Sequence, residues 1–391
     1  MRVAISGVGV AGPTLAYWLA RAGHEPTLIE VAPRLRTGGY VIDFWGLGYE
    51  VACRMGIEST VQQLGYHVES VRSVAADGRT RASLSTAGFD RVTDGRFTSL
   101  PRGDLAATIY SAVAGRVETV FGESITAVTE HEDGVCVSFL NGSTREFDLA
   151  VGADGLHSNV RRLVFGQQST AEHYLGCMVA AAVVEGYRPR DELVYVTYSA
   201  PGHSVGRFAL RDDRTMFLFM FRSDLPVVPE SVDDRIALLQ SEFRNMGREC
   251  SPILDALSDV DDLYFDVVSQ IRLDSWSKGR TVLVGDAAAC VSLLAGEGTG
   301  LAMTEAYVLA GELFTHRDHR QAFQAYEARL RSFVAKKQAS AQRYISVFAP
   351  KTDVGIAFRD AVMRVMNRVP RSDRVLAGAF SDDLALPDYP M

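Results

Sequence analysis

Three glycine-rich segments, each between an apolar strand and a following helix, constrain this chain more than any other feature. They are Gly7-Val-Gly9-Val-Ala-Gly12, Gly152-Ala-Asp154-Gly155, and Gly285-Asp286-Ala287-Ala288 followed by Gly296-Glu-Gly298-Thr-Gly300. One glycine-rich loop is compatible with many nucleotides. Three of them in this order indicate one long cofactor that is held along its whole length.

The N-terminal segment has the pattern of a βαβ nucleotide-binding unit. Val3-Ala-Ile5 predicts a strand, Pro13 suits the first turn of a helix, and Pro26-Thr-Leu28-Ile29-Glu30 predicts the second strand. Glu30 ends that strand about 20 residues after the glycines, where a carboxylate can accept hydrogen bonds from ribose hydroxyls. An acidic residue at this point favours FAD or NAD over NADP.

The glycines of this first segment have separate tasks. Gly7 allows a tight turn, Gly9 lets the backbone approach a pyrophosphate, and Gly12 lets helix and strand pack closely. Val10 and Ala11, between these glycines, are candidate cofactor contacts too, and the N-terminus of the helix that follows faces the phosphate charge. The segment therefore predicts dinucleotide binding.

The third segment decides between FAD and NAD. Asp286 ends a buried strand, where its carboxylate can accept a hydrogen bond from a ribityl hydroxyl while Gly285 lets the cofactor pass close by. The residues that open the next helix can then turn backbone amides toward a reduced flavin. These residues are Gly296, Gly298, Thr299 and Gly300.

Length and composition limit the classes of protein that remain. A chain of 391 residues is expected to form two domains, or one domain with a large insertion. Its net charge of −8 argues against nucleic-acid binding, and no uninterrupted run of 18 apolar residues predicts membrane insertion. Five scattered cysteines and an N-terminus that predicts a strand fit a cytoplasmic protein, and no metal-ligand cluster is evident.

The pattern of predicted elements indicates an α/β (mixed α+β) chain with an interrupted nucleotide-binding domain. Alternation of apolar and polar residues marks a sheet-rich part in the middle of the chain. We predict a nucleotide-binding domain from residues 1–73, 97–176 and 268–345, a sheet domain from 74–96 and 177–267, and a C-terminal helical segment over 346–391.

As a set, the three segments resemble the group A flavoprotein monooxygenases of the para-hydroxybenzoate hydroxylase type. The resemblance covers about residues 1–345 and implies a Rossmann-like FAD-binding domain of glutathione-reductase type, with an inserted antiparallel sheet that binds substrate. The opening through Gly38-Gly39-Tyr-Val-Ile-Asp43 also resembles the tetracycline-inactivating and polyketide-tailoring branch.

The resemblance also implies roles for single residues. The first segment would bind the ADP half of FAD, and Gly285 and Asp286 its ribityl chain. Residues that match the middle motif would serve FAD and NAD(P)H, and an arginine after the sheet would contact FAD. These residues are Asp154, Gly155, Arg161 and Arg102, with Arg36 as a further candidate cofactor contact.

The loop before the last glycines departs from the family pattern. Ala289 stands in place of His, Leu293 of Pro, Glu297 of Gln and Gly300 of Asn. An ionised Glu297 beside the flavin would disfavour the reduced anion, whereas a Glu297 that points to solvent would leave it unaffected. The departures bear on turnover more than on flavin binding.

The resemblance implies hydroxylation of an aromatic or polyketide-like small molecule with NAD(P)H and O2, through a flavin hydroperoxide. Another FAD oxidoreductase of this fold, such as an oxidase or a double-bond reductase, and a non-catalytic flavin- or ligand-binding protein are alternatives. We expect no nucleic-acid partner, and a monomer or homodimer.

Four residues are candidates for substrate contact. Arg207, Phe219 and Phe221 lie on predicted strands of the sheet domain, where they would form a substrate wall. An outward-facing arginine and ordinary core phenylalanines explain them equally well. The fourth, Asp43, would approach the pocket together with the nearby Tyr40, or the two would simply cap a turn.

Overall fold

A computed structural model of the chain describes residues 1–36, 38–166, 171–247, 250–258, 260, 262–293, 296–367 and 382–391, without the side chains of residues 343 and 344. The strands are β1 Arg2–Ser6, β2 Glu25–Glu30, β3 Val41–Phe44, β4 Ser70–Val74, β5 Thr80–Ser85, β6 Thr98–Pro101, β7 Glu118–Phe121, β8 Ile125–Glu130, β9 Val135–Phe139, β10 Thr144–Phe147, β11 Leu149–Gly152, β12 Glu172–Glu185, β13 Val194–Ala200, β14 His203–Ala209, β15 Arg214–Arg222, β16 Tyr264–Ile271, β17 Ser277–Lys278 and β18 Thr281–Leu283. The helices are α1 Ala11–Arg21, α2 Gly46–Met55, α3 Glu58–Leu64, α4 Ala87–Val92, α5 Arg102–Ser111, α6 Asn159–Phe165, α7 Val232–Phe243, α8 Cys250–Asp255, α9 Asp286–Ala289, α10 Gly298–Thr315, α11 His319–Phe348 and α12 Asp353–Met366.

A six-stranded sheet in the order β17-β18-β11-β1-β2-β7 carries all three glycine-rich segments. Its strands are parallel except for β17. The segments follow β1, β11 and β18, which are neighbours in this sheet. Because the carboxyl ends of parallel strands meet at one edge, segments far apart in sequence come together there. The predicted Rossmann-like architecture is confirmed.

The apolar runs of these strands are explained by packing on both faces. Residues 3–5 of β1 and 149–151 of β11 are buried almost completely. Helices α1 and α10 pack together beside the sheet, and a small sheet of β8, β9 and β10 contributes Val135, Val137 and Phe139 to the same core. Parallel strands covered on both faces need apolar side chains on both.

The second large sheet has seven strands in the order β16-β12-β15-β14-β13-β4-β5. Its pairs are antiparallel except for β13 with β4. Helices α7 and α8 bury one face of this sheet. Strands β4, β12 and β16 run a few residues beyond the predicted domain limits at 73, 176 and 268, because strands continue past the points where composition changes. The division into domains itself stays a prediction.

The C-terminal part combines helices with an extended end. Helix α11 runs to Phe348 and α12 follows, whereas residues 382–391 form neither helix nor strand and lie against α10. The predicted helical segment 346–391 is thus helical only at its beginning among the residues described. No helix within the described ranges is long and apolar enough to cross a membrane.

Candidate functional site

The first glycine-rich segment leaves space for a ligand at one of its three glycines. Gly7 has φ +106°, and a Cβ atom there would lie 2.4 Å from the Ala153 carbonyl oxygen. A Cβ atom at Gly12 would lie 2.0 Å from the Gly7 carbonyl oxygen. At Gly9 the nearest described atom would be Nη2 of Arg102, at 3.8 Å. Gly7 and Gly12 therefore serve packing, and Gly9 faces open space.

The start of α1 is prepared for an anion. Its N-cap residue, Val10, supplies no side-chain hydrogen bond to the first amides. The first N–H groups of a helix have no partner within the helix, and a phosphate can satisfy them. Arg102 lies across this space, so the anion would meet both a helix terminus and a guanidinium group.

Glu30 is held rigidly at the end of β2. Its Oε2 accepts a hydrogen bond from Val8 N at 2.8 Å, and its Oε1 accepts one from Ala32 N at 2.9 Å. The exposed Arg36 lies 3.6 Å from Oε1. Each carboxylate oxygen can accept more than one hydrogen bond, so the fixed Glu30 could still accept from two ribose hydroxyls.

The second segment is organised by Asp154. Its Oδ2 accepts hydrogen bonds from the amides of Asn159 at 2.9 Å and Val160 at 3.0 Å, which begin α6. The hydroxyls of Ser6 and Ser158 also donate to this carboxylate. Asp154 therefore joins β1, the loop after β11 and α6, which is a structural task.

Arg161 joins the second segment to the third. Its guanidinium donates to the carbonyl oxygens of Ala287 at 3.0 Å and Leu156 at 2.6 Å. Burial lowers the pKa of Arg161, although Asp154 opposes this shift. Gly155, with φ +80°, provides the turn that follows Asp154 and leads to α6. Asp154, Gly155 and Arg161 thus hold two loops of the site in register.

Asp286 is the carboxylate of the third glycine-rich segment and the first residue of α9. It follows Gly285, whose amide is fixed by a 2.6 Å hydrogen bond to Oε2 of the buried Glu305. Burial raises the pKa of Asp286, and the nearby Arg102 opposes the shift. A Cβ atom at Gly298 would lie 3.8 Å from Asp286 Oδ1, so the carboxylate also faces the start of α10.

Helix α10 begins in close contact with α2. A Cβ atom at Gly48 would lie 2.2 Å from the Cα of Gly300, so the two helices pack backbone to backbone. Glu297 is the N-cap residue and supplies no side-chain cap, which leaves the first amides of α10 available. Its carboxylate is ion-paired with Lys337 at 2.7 Å, and so it points neither to bulk solvent nor to an unpaired position.

Asp43 and Tyr40 lie where the loops of the glycine-rich edge approach the large sheet. Asp43 is exposed to solvent, yet burial raises the pKa of its carboxyl group. Both observations hold if Asp43 lies in a recess whose walls are protein. Tyr40 packs against Tyr264 of the large sheet with ring centroids 5.4 Å apart, and burial raises the pKa of the Tyr40 phenol to about 12. Ser99 Oγ donates to Asp43.

Side chains alternate between the two faces of a strand, and three predicted substrate contacts lie on the face turned away from Tyr40 and Asp43. Phe219 and Phe221 pack against Phe243 of α7 with ring centroids 5.2 and 6.0 Å apart, and both are buried in that core. Arg207 is on the same face and forms an ion pair with Asp191 at 2.8 Å. The two phenylalanines are therefore ordinary core residues, whereas Arg207 is neither outward-facing nor on the side of Tyr40 and Asp43: it is buried and ion-paired. None of the three is proposed as a substrate contact below.

The opposite face of the large sheet presents a row that the sequence analysis missed. Across five strands, register places Tyr264, Ala181, Leu218, Gly206 and Thr197 side by side. Tyr264, Leu218 and Thr197 keep accessible surface. The small residues Ala181 and Gly206 flank Leu218, and Tyr195 lies over Gly206, where a Cβ atom would be 3.5 Å from Tyr195 Cε1. The period of two could have found this row if the face covered by α7 had been known.

These groups fit FAD in both shape and chemistry. Gly9 leaves open space beside a helix terminus and Arg102, which suits a pyrophosphate. Glu30 could hold the adenosine ribose, Asp286 the ribityl chain, and the free amides of α10 the pyrimidine edge of a flavin. Gly9 follows β1, Glu30 ends β2 and Asp286 follows β18, so the three positions lie along one edge of the sheet in the strand order β18-β11-β1-β2, as one extended cofactor requires.

Comparison with known proteins agrees with this geometry. The family described as "FAD binding domain" matches residues 1–345. A flavin-dependent monooxygenase from an unknown prokaryotic organism is 35% identical over 344 residues, covering 86% of this chain and 88% of that protein. The structures of tetracycline destructases Tet(51) and Tet(55) are 28% and 31% identical, cover 99% of this chain and 99% and 98% of theirs, and superpose with TM-scores of 0.84 and 0.83. The chain therefore belongs to the FAD binding domain family and, within it, to the flavin-dependent monooxygenases.

Proposed function

We propose that this monooxygenase hydroxylates a polycyclic aromatic or polyketide-like small molecule in the space between the glycine-rich edge and the large sheet. NAD(P)H is the reductant and O2 supplies the oxygen atom. The observation that carries the proposal is the row from Tyr264 to Thr197. Strands lie about 4.8 Å apart, so a row across five strands extends about 19 Å. That width suits several fused rings better than one.

The cofactor placement is part of the same proposal. Glu30 would bind the adenosine ribose, and Gly9 with the start of α1 would bind the pyrophosphate, supported by Arg102. Asp286 would accept a hydrogen bond from the ribityl chain, and the amides that open α10 would face the flavin. The fixed geometry of Glu30 and the partial exposure of Asp286 beside Arg102 and the start of α10 support these roles.

We call the proposed substrate space between the glycine-rich edge and the large sheet the chamber; its lining is partly apolar and partly polar. Tyr40 and Tyr264 give aromatic surface on which a planar ring can stack, and Leu218 gives an apolar floor. Asp43 and Ser99 form a polar corner that can hydrogen-bond a substrate hydroxyl or amine. A flat molecule with hydroxyl groups at one edge matches this lining.

Bound FAD supplies the reactivity toward O2, and the chain supplies binding, orientation and exclusion of water. The large sheet closes one side of the chamber, and the contact between Tyr40 and Tyr264 narrows it. The amides at the start of α10 can stabilise negative charge on a neighbouring ring. We also propose a cytoplasmic location and a monomer or homodimer; among the described residues no two cysteines form a disulfide, which supports the location.

A substrate screen tests the proposal. Purified protein is given NADH or NADPH with single-ring phenols, fused-ring polyphenols and a tetracycline, because the similar solved structures include tetracycline destructases. We expect fused-ring compounds to stimulate nicotinamide oxidation most strongly and to gain one oxygen atom. Replacing Leu218 with Trp should remove this stimulation and keep the FAD content. Stimulation by single-ring phenols alone would contradict the proposed chamber.

A further inference from the structure

The C-terminal segment Asp382–Met391 caps a helix of the flavin-binding part. Helix α2 begins at Gly46, and its own N-cap residue, Trp45, supplies no side-chain cap. Instead, Leu47 N donates to Oδ2 of Asp382 at 3.0 Å. A carboxylate at a helix N-terminus satisfies an unpaired amide and interacts favourably with the helix dipole. A residue more than 300 positions away along the chain thus completes α2.

Lys337 of α11 connects this cap to the loop before α10. Its Nζ lies 2.8 Å from Asp382 Oδ1 and 2.7 Å from Glu297 Oε2. The side chains of Lys337, Glu297 and Asp382 are only 15%, 19% and 13% exposed. Burial lowers the pKa of Lys337, but the two carboxylates outweigh it and raise the pKa overall. The ammonium group is therefore charged and shared between two anions.

The two carboxylates lie at the starts of two helices that touch. Asp382 caps α2, Glu297 precedes α10, and the helices meet at Gly48 and Gly300. The partly buried Lys337 ammonium forms both ion pairs only when the two carboxylates lie on either side of it, in one well-defined geometry. It therefore fixes the loop from Gly296 to Gly300 relative to α2 and α11.

We propose that Glu297, Lys337 and Asp382 form a positioning unit that holds Gly296–Gly300 against the flavin, so that the C-terminal segment takes part in cofactor binding. The inference depends on the proposed placement of the flavin beside α10. The family match ends at residue 345, so it does not assign this role to Asp382. The three residues act through the loop and are positioning residues.

The affinity of the apoprotein for FAD tests the unit. Lys337→Met leaves two carboxylates unpaired, and we expect FAD affinity to fall about tenfold and the flavin midpoint potential to fall, because negative charge near the ring increases. Adding Glu297→Gln to Lys337→Met removes one of those charges and should restore much of the affinity and the potential. A purely structural lysine would give a double variant that is worse than either single variant.

A neighbouring ion pair supplies the control. Lys336 precedes Lys337 and Asp383 follows Asp382 in the sequence, and these two neighbours form an ion pair at 3.3 Å. Their side chains are 64% and 70% exposed. Lys336→Met and Asp383→Asn should bind FAD as the unchanged protein does. Asp382→Ala should bind FAD more weakly than Asp382→Asn, because Asn can still accept from Leu47 N.

Two results would overturn the inference. One is a FAD affinity of Lys337→Met that matches Lys336→Met, and the other is the absence of any rescue by Glu297→Gln. Asp286→Ala separates this failure from failure of the flavin placement. If Asp286→Ala weakens FAD binding and Lys337→Met does not, only the positioning unit is refuted. If neither does, the flavin placement is wrong as well.

Discussion

Two aspartates of the glycine-rich edge should respond to alanine in opposite ways. Asp154 receives hydrogen bonds from two helix amides and two serine hydroxyls, so it holds the protein together. Asp286 makes no comparable set of bonds to the described backbone and faces the proposed ribityl chain. We predict that Asp154→Ala destabilises the apoprotein and that Asp286→Ala weakens FAD binding.

The magnitudes follow from the contacts. Asp154 accepts hydrogen bonds from the first two amides of α6, beside the N-cap residue Ser158. Loss of a capping side chain costs about 0.5–2 kcal/mol and hydrogen bonds to a charged group contribute about 1.5–3 kcal/mol each, so Asp154→Ala should cost about 2–4 kcal/mol of unfolding free energy. Loss of one charge-assisted hydrogen bond to FAD at Asp286 should weaken binding about tenfold to a hundredfold. The raised pKa of Asp286 means that its charged form is disfavoured in the folded state, so Asp286→Ala should not destabilise the apoprotein.

The assay separates the two effects by using FAD-free protein. Urea unfolding of each apoprotein gives its stability without the contribution of bound ligand, and titration with FAD gives the dissociation constant. Asp154→Asn is a control that keeps an acceptor for the α6 amides and should recover part of the lost stability. The reasoning is refuted if Asp286→Ala lowers apoprotein stability as much as Asp154→Ala, or leaves FAD affinity unchanged.

Three further predictions concern buried groups. Burial raises the pKa of Glu305 to about 8, so the folded state holds this proton up to a higher pH than the unfolded state does. The unfolding free energy should therefore fall as the pH rises from the ordinary glutamate range to about 8. Urea titrations at several pH values should show that Glu305→Gln flattens this slope. Phe219→Ala should cost about 3–5 kcal/mol of stability and leave FAD affinity unchanged, in calorimetry and FAD titration. Glu30→Ala should weaken FAD binding, measured by flavin fluorescence, whereas Arg36→Ala should change it little.

The sequence was sufficient for the nucleotide-binding edge because each glycine there has a local reason. The strand before Gly7, the helix after it and Glu30 at the end of β2 lie within one βαβ unit, so short-range pattern determines them. The adjacency of β1, β11 and β18 was implied only by the requirement for one long cofactor. The role of Asp43 as a substrate contact stays a prediction; in the structure the residue keeps accessible surface and its carboxylate accepts a hydrogen bond from Ser99 Oγ.

The large sheet was less predictable because its strands are apolar on both faces. In β15, Phe219 and Leu218 are both hydrophobic, and only the position of α7 shows that Phe219 is core. Arg207 has a partner, Asp191, on a separate loop, which no local pattern reveals. The ion pairs of Lys337 with Glu297 and Asp382 likewise join distant segments, and their sequence positions carry no signal of it.

Incorporation of isotopically labelled O2 tests the central claim most directly. The purified FAD enzyme is supplied with NAD(P)H and the compound that best stimulates nicotinamide oxidation, under labelled O2, and the product is analysed by mass spectrometry. The account predicts one labelled oxygen atom in the product, with consumption of nicotinamide coupled to its formation. Label recovered only as hydrogen peroxide, with the organic compound unlabelled in every case, would contradict the assignment as a monooxygenase.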